Sequence, residues 1–384
     1  MTTYRADPDL LTEINKYGNI GIEECFNCGN CTAICPLSTD QESFPRRVIR
    51  SAQLGLRDQI LSSDSIWLCY YCGECTDTCP RQADPGEFMA TARRYAIASY
   101  DRLGIARMLY TSPALSVVFM ALLAVILSLF LYSRNGGTPT DSLQLFEFIP
   151  VNLIHNLGIA AMIFVALAGL LSIASMIKHI LPKRKETIQA SKRNWLKALW
   201  KAVGLEVLAQ KRYREDCEED STDSEKPFFL QKWFIHASIM WGFLGLLAAT
   251  GLDFLLEMTH IKPSGTFVPI WYPIRLLGTI AGLFLVYGST IAIVRRFQKR
   301  DTAYATSLLS DWIFLILIWL AGVTGFLLEI AVYLPQAPLW AYWMLIVHIV
   351  IAMELLLLIP FTKFAHAIYR TAALYVFELE TLNA

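Results

Sequence analysis

Six stretches of this chain go without a charged residue for long enough to cross a bilayer, and they set its plan. Residues 108–133 run 26 positions without Asp, Glu, Lys or Arg. At about 1.5 Å per helical residue, that exceeds the roughly 30 Å of hydrocarbon in a membrane. Further runs lie at 148–177, 233–252, 276–294 and 312–328, and the last extends from 330 to 362 with Glu354 as its interruption. The pattern predicts six transmembrane helices near 110–133, 150–180, 231–257, 271–296, 307–333 and 340–367. Residues 1–107 read instead as short helices. Asp7-Pro8 and Gly18 bracket one, and Ser43 to Gly55 makes another with Val48, Ile49 and Ala52 on one face. Asp84-Pro85-Gly86-Glu87 supplies an N-cap, a proline at N1 and a glutamate at N3 for a helix running to Gly104. No alternating strand pattern appears. The expected fold class is all-α: a helical domain at 1–107 fused to a six-helix membrane bundle at 108–384, with a charged loop at 182–229.

Composition agrees, being 55% apolar and only 17% charged, against about a quarter charged for soluble proteins. Net charge is zero, and no nucleic-acid partner is expected. Basic residues near span ends are retained in the cytoplasm. The loop after span two carries Lys183, Arg184, Lys185, Lys192, Arg193, Lys197, Lys201, Lys211, Arg212 and Arg214; the loop after span four carries Arg295, Arg296, Lys299 and Arg300. The opposite loops hold Arg134 and Lys262. The expectation is a multi-pass protein of the bacterial cytoplasmic membrane with the 1–107 head and both termini inside. Within the charged loop, residues 191–214 set Trp195, Leu199, Trp200, Val203, Leu205 and Leu208 against lysines and arginines. This suits an amphipathic helix on the anionic leaflet or one packed on a partner. The acidic stretch Glu215 to Glu225 reads as a solvated linker, with Cys217 a spare thiol.

The head carries the chemistry. Cys25-x2-Cys28-x2-Cys31-x3-Cys35-Pro36 recurs as Cys69-x2-Cys72-x2-Cys75-x3-Cys79-Pro80 and uses eight of the nine cysteines. Three close thiolates wrap one cubane iron–sulfur cluster, while the fourth, before proline, reaches the neighbouring one. The expected cofactors are two [4Fe-4S] clusters, one on Cys25, Cys28, Cys31 and Cys79, the other on Cys35, Cys69, Cys72 and Cys75. Zinc has no use for the Cys-x3-Cys-Pro tail. Disulfides need an oxidising compartment, and Met-Thr-Thr-Tyr-Arg-Ala-Asp shows no signal-peptide character. The 33 residues between Cys35 and Cys69 also exceed what a compact β-α-β ferredoxin needs.

Six histidines fall on two levels: His179, His236 and His366 near the inner face, His155, His260 and His348 near the outer. Histidine is costly in lipid, so a buried one usually has a functional partner. His348 and His366 are 18 residues apart, five turns of a continuous helix, and would project from one face about 27 Å apart. That spacing suits two haems, the inner on His236 and His366 and the outer on His155 and His348. His260 is the alternative outer ligand, and His179 reads as an interfacial residue.

At these residues the sequence resembles known families. The segment His348…Pro360-Phe361-Thr362-Lys363-Phe364-Ala365-His366 is similar to the last helix of the gamma (cytochrome b) subunit of respiratory nitrate reductase and to the membrane subunit of heterodisulfide reductase. The head, with Arg46-Arg47-Val48-Ile49-Arg50, Leu54-Gly55-Leu56 and Ile66-Trp67-Leu68-Cys69, resembles the small iron–sulfur subunit of heterodisulfide reductase. The two together resemble the C subunits of quinone-interacting membrane-bound oxidoreductase (Qmo) complexes. That resemblance implies a cytochrome b-type bundle with haem b. It also implies menaquinone as redox partner, two soluble flavin/iron–sulfur subunits, and adenylylsulfate reductase beyond them. Ten residues beyond His236 stands Leu246, where the nitrate reductase subunit has a second haem ligand. His155 is therefore read from depth alone.

Quinol oxidation releases two electrons and two protons, so charged residues in the spans are candidates for a quinone pocket or proton relay. They are Glu354 in span six, Asp253 and Arg275 toward the outer ends of spans three and four, and Glu329 on span five. Arg275 or Lys363 could equally pair a haem propionate. No motif for breaking a covalent bond is present: no Cys-Cys-Gly, no Gly-x-Gly-x-x-Gly after a strand, no P-loop. Two alternatives stand beside the quinone-linked reading. One is a heterodisulfide-reductase-like membrane arm serving a disulfide-reducing partner; the other is a non-redox membrane anchor with a metal-stapled head.

Overall fold

The computed structural model describes residues 5–18, 21–39, 42–190, 194–219, 221–263, 265–266, 268–299 and 306–382. Lys192, Arg193 and Arg300 of the charged loops lie outside the described residues, as do the side chains of Lys183, Arg184, Lys185 and Cys217. Among the described residues the chain is helical, with no strand.

Six helices are long and apolar enough to cross a membrane: Pro113–Tyr132, Val151–Ile180, Lys232–Met258, Pro273–Gln298, Leu309–Ala331 and Leu339–Leu357. The second belongs to a longer helix, Val151–Ala190, that runs on into the charged loop. The first opens on Ser112, whose hydroxyl accepts from Leu115 N at 3.4 Å, with Pro113 in the first turn, where a missing N–H costs nothing. It buries only Ser116 and Leu131 and turns Leu122, Ile126 and Leu129 outward, each more than half exposed. Such a surface suits hydrocarbon, not water.

Spans three and four lie closest together because glycines remove the side chains between them. A Cβ on Gly242 would stand 2.6 Å from Leu285 N, and one on Gly288 would stand 2.9 Å from Ile235 O. Small residues at such crossings are the usual basis of close helix packing in lipid. Span six is the most enclosed. Its Tyr342, Leu345, Ile346, Ile349, Val350 and Met353 pack with Leu131, Phe148, Ala161 and Leu328.

The sixth span ends earlier than its apolar run. It stops at Leu357, residues 358–364 form turns, and a separate helix runs Ala365–Thr381. Pro360 explains the break: it has no N–H to donate, and its ring collides with the preceding turn of a helix. The bonds tighten around it, Ile359 N to Leu356 O at 3.1 Å and Phe361 N to Leu358 O at 3.1 Å. His348 and His366 therefore stand on different helices, and the five-turn spacing along one face does not hold.

In the head, the helix Pro85–Tyr100 forms the spine. Asp84 caps it by accepting from Glu87 N at 3.1 Å. It ends at Tyr100 rather than Gly104. The Asp101 carboxylate takes the N–H groups of Leu103 and Ala106, both at 2.8 Å, and so starts the next helix, Ile105–Thr111. Leu10, Ile14, Ile49, Ile60, Ile66 and Phe88 fill the core around the spine, each fully buried.

Head and membrane bundle share a buried boundary. Trp67 and Tyr100 of the head stack with Tyr369 of the terminal helix, at ring-centre distances of 4.9 and 5.3 Å. His179 of span two packs on Tyr100 at 5.6 Å and bonds through Nδ1 to Ser175 O at 2.9 Å. Half-buried, it packs at this boundary. Charges cross the boundary as well. Asp311, at the start of span five, is met by Arg94 of the head at 3.4 Å, Lys363 at 3.2 Å and Arg296 at 4.0 Å. Arg94 also pairs with Glu87 at 2.9 Å, and Glu87 accepts from Tyr71 Oη at 2.9 Å and Thr306 Oγ1 at 3.1 Å. Lys363 is therefore engaged by Asp311. Residues 195–208, the last nine of them in a wider π-helical turn, lie against the terminal helix. Ala202 packs on Leu374, and Lys201 pairs with Glu378 at 3.4 Å. Trp195, Leu196 and Trp200 are at least half exposed on the other face.

Candidate redox centres

The two cysteine motifs fold into matching loops. In the first, Asn27 (φ 57°) and Gly29 (φ 93°) adopt left-handed backbone, and in the second Tyr71 (φ 60°) and Gly73 (φ 102°) do the same. This region disfavours side chains except at glycine, asparagine and a few strained sites. The turn brings Asn27 N within 3.4 Å of Cys25 Sγ and Tyr71 N within 3.4 Å of Cys69 Sγ. Short helices, Asn30–Ile34 and Glu74–Asp77, then carry the third cysteine of each motif.

The loops exchange their fourth cysteines. One hollow is lined by Cys25, Cys28 and Cys31 of the first motif together with Cys79 of the second, and by Gly29, Arg46 and Arg81. Cys28 is exposed there, and Arg81 lies over the 72% exposed ring of Phe26 at 4.2 Å. On the other side, Cys35 of the first motif faces Cys69 and Cys72 of the second, and Cys75 neighbours all three. Burial pushes the Cys35 thiol up to about 12, and burial together with the facing sulfurs pushes Cys75 up as well. Cys31 is also raised by burial and by Cys25. Such crowded thiols ionise only when a strongly positive centre joins them, as iron does in a cubane. All eight cysteines are free thiols, and no three His, Cys, Asp or Glu side chains among the described residues converge on a point fit for one metal ion. Three near cysteines joined by one from the other motif form the ligand set of a cubane, so the arrangement fits a cluster.

Beneath the second group lies a histidine pair. His236, one turn into span three, and His366, at the start of the terminal helix, have ring centres 6.2 Å apart. Two imidazoles bound to one iron at about 2 Å per nitrogen place their ring centres about 6 Å apart. His366 Nδ1 bonds to Lys363 O at 2.6 Å, which leaves Nε2 free to act as a ligand, as outer partners of metal-binding histidines commonly do. His348 is oriented the same way, Nδ1 to Thr324 Oγ1 at 2.8 Å. Gly325 lies beside its ring, where a Cβ would stand 3.4 Å from Cε1. His155 has other partners: Nε2 is 3.6 Å from Glu257 Oε2, and the ring meets Phe254 edge-on at 4.8 Å. His348 and His155 are thus held by different neighbours.

The candidate quinone residues are mostly engaged. Asp253 pairs with Lys262 at 2.6 Å, and Lys262 also reaches Glu257 at 3.3 Å. Arg275 pairs with Glu329 at 2.9 Å and donates to Val268 O. Glu354 is buried, and its Oε1 has no hydrogen-bond partner.

Several contacts escaped the sequence reading. Arg370, one turn beyond His366, donates to Cys69 O at 3.2 Å and Leu68 O at 3.3 Å and lies over the Tyr70 ring at 3.8 Å. Tyr70 stacks on Tyr213 with ring centres 5.2 Å apart and 3° between planes, and Tyr213 meets His236 edge-on at 5.5 Å. The available signals were the tyrosine directly after Cys69 and the arginine four residues after His366.

Comparison with known proteins divides the chain in two. A 4Fe-4S dicluster domain matches residues 21–83, which hold all eight motif cysteines. The family described as Citrate utilization protein B matches residues 104–383. The chain belongs to the Citrate utilization protein B family. Citrate utilization protein B of Escherichia coli is 25% identical over 304 residues, covering 76% of this chain and 74% of that protein. The C subunit of the H(2):CoB-CoM heterodisulfide,ferredoxin reductase of Methanothermobacter thermautotrophicus is 36% identical over 62 residues, 16% of this chain and 34% of its own length. The E subunit of the dihydromethanophenazine:CoB–CoM heterodisulfide reductase of Methanosarcina mazei is 30% identical over 149 residues, 36% of this chain and 56% of its own length. This Citrate utilization protein B family member thus spans about a third of the matched C subunit and about half of the matched E subunit. No solved structure matches. The chain is an iron–sulfur membrane protein similar to the C and E subunits of heterodisulfide reductases.

Proposed function

We propose that this chain is a membrane electron-transfer subunit that links a menaquinone pool to soluble flavin/iron–sulfur subunits. Residues 1–107 form the cluster-bearing head and 108–384 the membrane domain, and the head faces the cytoplasm of a bacterial inner membrane. Cys25, Cys28, Cys31 and Cys79 hold one [4Fe-4S] cluster; Cys35, Cys69, Cys72 and Cys75 hold the other. On this reading His236 and His366 would hold a haem b, which would supply single-electron exchange there. The observation that carries the reading is the 6.2 Å separation of these two rings directly below the second cysteine group.

The chain's own groups define what such a protein does. His366 is fixed in one tautomer by Lys363 O, which leaves its Nε2 as the nitrogen that could ligate iron. The buried ion network around Asp311 keeps head and membrane bundle at constant distance. Proton handling falls to Glu354, buried in span six with an unpartnered oxygen, with Asp253 and Arg275 at the outer end of the bundle. A second haem on His348 and His155 requires the His155 ring to leave Glu257. The arrangement of a Qmo-type C subunit, with adenylylsulfate reductase as the final partner, is the specific form we favour. The identity to the C and E subunits of heterodisulfide reductases favours a second form, in which the soluble partner reduces a disulfide.

A visible spectrum of the purified protein tests the proposal. Haem b α-bands that appear on adding menadiol support it. A colourless, zinc-containing protein refutes both forms and leaves a membrane anchor with a metal-stapled head.

A further inference from the structure

The two cysteine groups are chemically alike but differently placed. The Cys25–Cys28–Cys31–Cys79 hollow opens at the surface beside Phe26 and Arg81. The Cys35–Cys69–Cys72–Cys75 group sits on the membrane-facing side, and its Cys69 carbonyl is clasped by two guanidinium groups. Arg93 reaches it at 2.8 Å and Arg370 at 3.2 Å. Arg370 belongs to the same helix face as His366, one turn away.

From Cys69 an unbroken series of ring contacts leads to the histidine pair. Tyr70 is bonded in sequence to Cys69 and stacks flat on Tyr213 at 5.2 Å, Tyr213 meets His236 at 5.5 Å, and His236 meets His366 at 6.2 Å. The Tyr70 ring and the segment that carries Tyr213 are held from outside the series. The Tyr70 hydroxyl donates to Glu206 at 3.2 Å and its face carries Arg370 at 3.8 Å, while Arg212 beside Tyr213 reaches Glu206 at 3.7 Å and covers Phe377 at 4.7 Å. Residues of the head, of the charged loop and of two membrane-domain helices thus converge on one column.

We propose that Tyr70 and Tyr213 form the electron path between the two halves of the protein. The Cys35–Cys69–Cys72–Cys75 site is then the membrane-side cluster and the Cys25–Cys28–Cys31–Cys79 site the partner-side cluster. The proposal rests on the reading that the cysteines hold cubanes and that His236 and His366 hold haem iron. One electron crosses per event: it leaves ferrous iron between the histidines, which becomes ferric, and enters the oxidised membrane-side cubane, which gains one reducing equivalent. The reverse flow has the same balance. No bond forms or breaks, no proton moves, and the tyrosines stay in their ordinary oxidation state. Arg370 is a positioning residue with an electrostatic effect, because its charge favours the more negative, reduced cluster.

The test is a redox titration of the full-length detergent-solubilised protein, followed by EPR and visible absorption, on wild type, Arg370→Gln, Arg46→Gln and Tyr213→Leu. Arg370→Gln should lower the midpoint of one cluster only, and that cluster should be the one whose spin relaxation is speeded by ferric haem. Arg46→Gln, at the outer hollow, should move only the other cluster. Tyr213→Leu should keep the haem and both cluster signals but slow electron exchange between haem and cluster after photoreduction, and Tyr213→Trp should restore it. Intact haem with unchanged exchange in Tyr213→Leu overturns the proposal alone. So does a midpoint shift of the uncoupled cluster in Arg370→Gln. A protein with cluster signals but no haem band overturns the proposal together with the haem reading beneath it.

Discussion

Replacing Asp311 by asparagine removes one charge and almost no volume, and it should loosen the head from the membrane bundle. Asp311 is 2% exposed and lies 3.4 Å from Arg94 and 4.0 Å from Arg296, whose side chains are also about nine-tenths buried. At an effective dielectric of about 20, each contact at that range is worth about 4–5 kcal/mol before desolvation is subtracted. Lys363 is closer, at 3.2 Å, but its side chain is 45% exposed, so solvent screens its share. With asparagine present, Arg94 keeps Glu87 as a carboxylate partner, while Arg296 and Lys363 lose the one that Asp311 gave them. Removing one partner of a buried pair typically costs about 3–5 kcal/mol. At about 2 °C per kcal/mol for a large chain, the melting midpoint should fall by about 6–10 °C. A thermal melt in detergent followed by tryptophan fluorescence reads this, and limited proteolysis should show faster cleavage of the 101–112 junction. Asp253→Asn is the control, because that carboxylate is 37% exposed and its pairing is correspondingly screened. An Asp311→Asn midpoint within a degree of wild type, or one no lower than the control, refutes the role assigned to the network.

Gly242→Val should destabilise the bundle by about 1–3 kcal/mol or more, because even its Cβ would lie 2.6 Å from Leu285 N; an unchanged melting midpoint contradicts the close packing of spans three and four. Cys79→Ala takes a thiol from the hollow of Cys25, Cys28 and Cys31, so the EPR spectrum should lose that cluster and show a disturbed second one. Two clusters with unaltered line shapes would count against crossed ligation. In apo protein the Cys35 and Cys75 thiols, raised by burial, are protonated at neutral pH and must release protons to bind iron. Cluster assembly should therefore speed up as pH rises from about 7 to 9, with proton release measurable in weak buffer, and assembly independent of pH would contradict this.

The sequence carried the large divisions because each has a strong local signature. Charge-free runs of 17 to 30 residues become helices of membrane length, and two cysteine motifs with one spacing become two loops with one backbone geometry. The error in the last span was also local: Pro360 sits inside an apolar run, and hydropathy alone does not register its missing hydrogen bond. Depth paired His366 with His236, whose rings do lie 6.2 Å apart, but on an assumed continuous helix. What stayed hidden depends on contacts between distant positions. Asp311 reads in sequence as a polar residue at a span end, and only the fold brings Arg94, 217 residues away, to meet it. Tyr213 lies in a stretch of basic residues, and nothing near it in the chain points to Tyr70 or His236. Glu257 similarly gains meaning only beside His155.

The central claim is that His236 and His366 hold a haem beneath a two-cluster head. It is tested most directly by quantifying haem by pyridine haemochrome and non-haem iron in the purified full-length protein, wild type against His366→Ala and His348→Ala. The account predicts non-haem iron for two [4Fe-4S] clusters in all three, haem b in the wild type, and loss of one haem per chain in His366→Ala. His348→Ala should leave that haem in place. Full haem content in His366→Ala, or a wild type without haem, would contradict it.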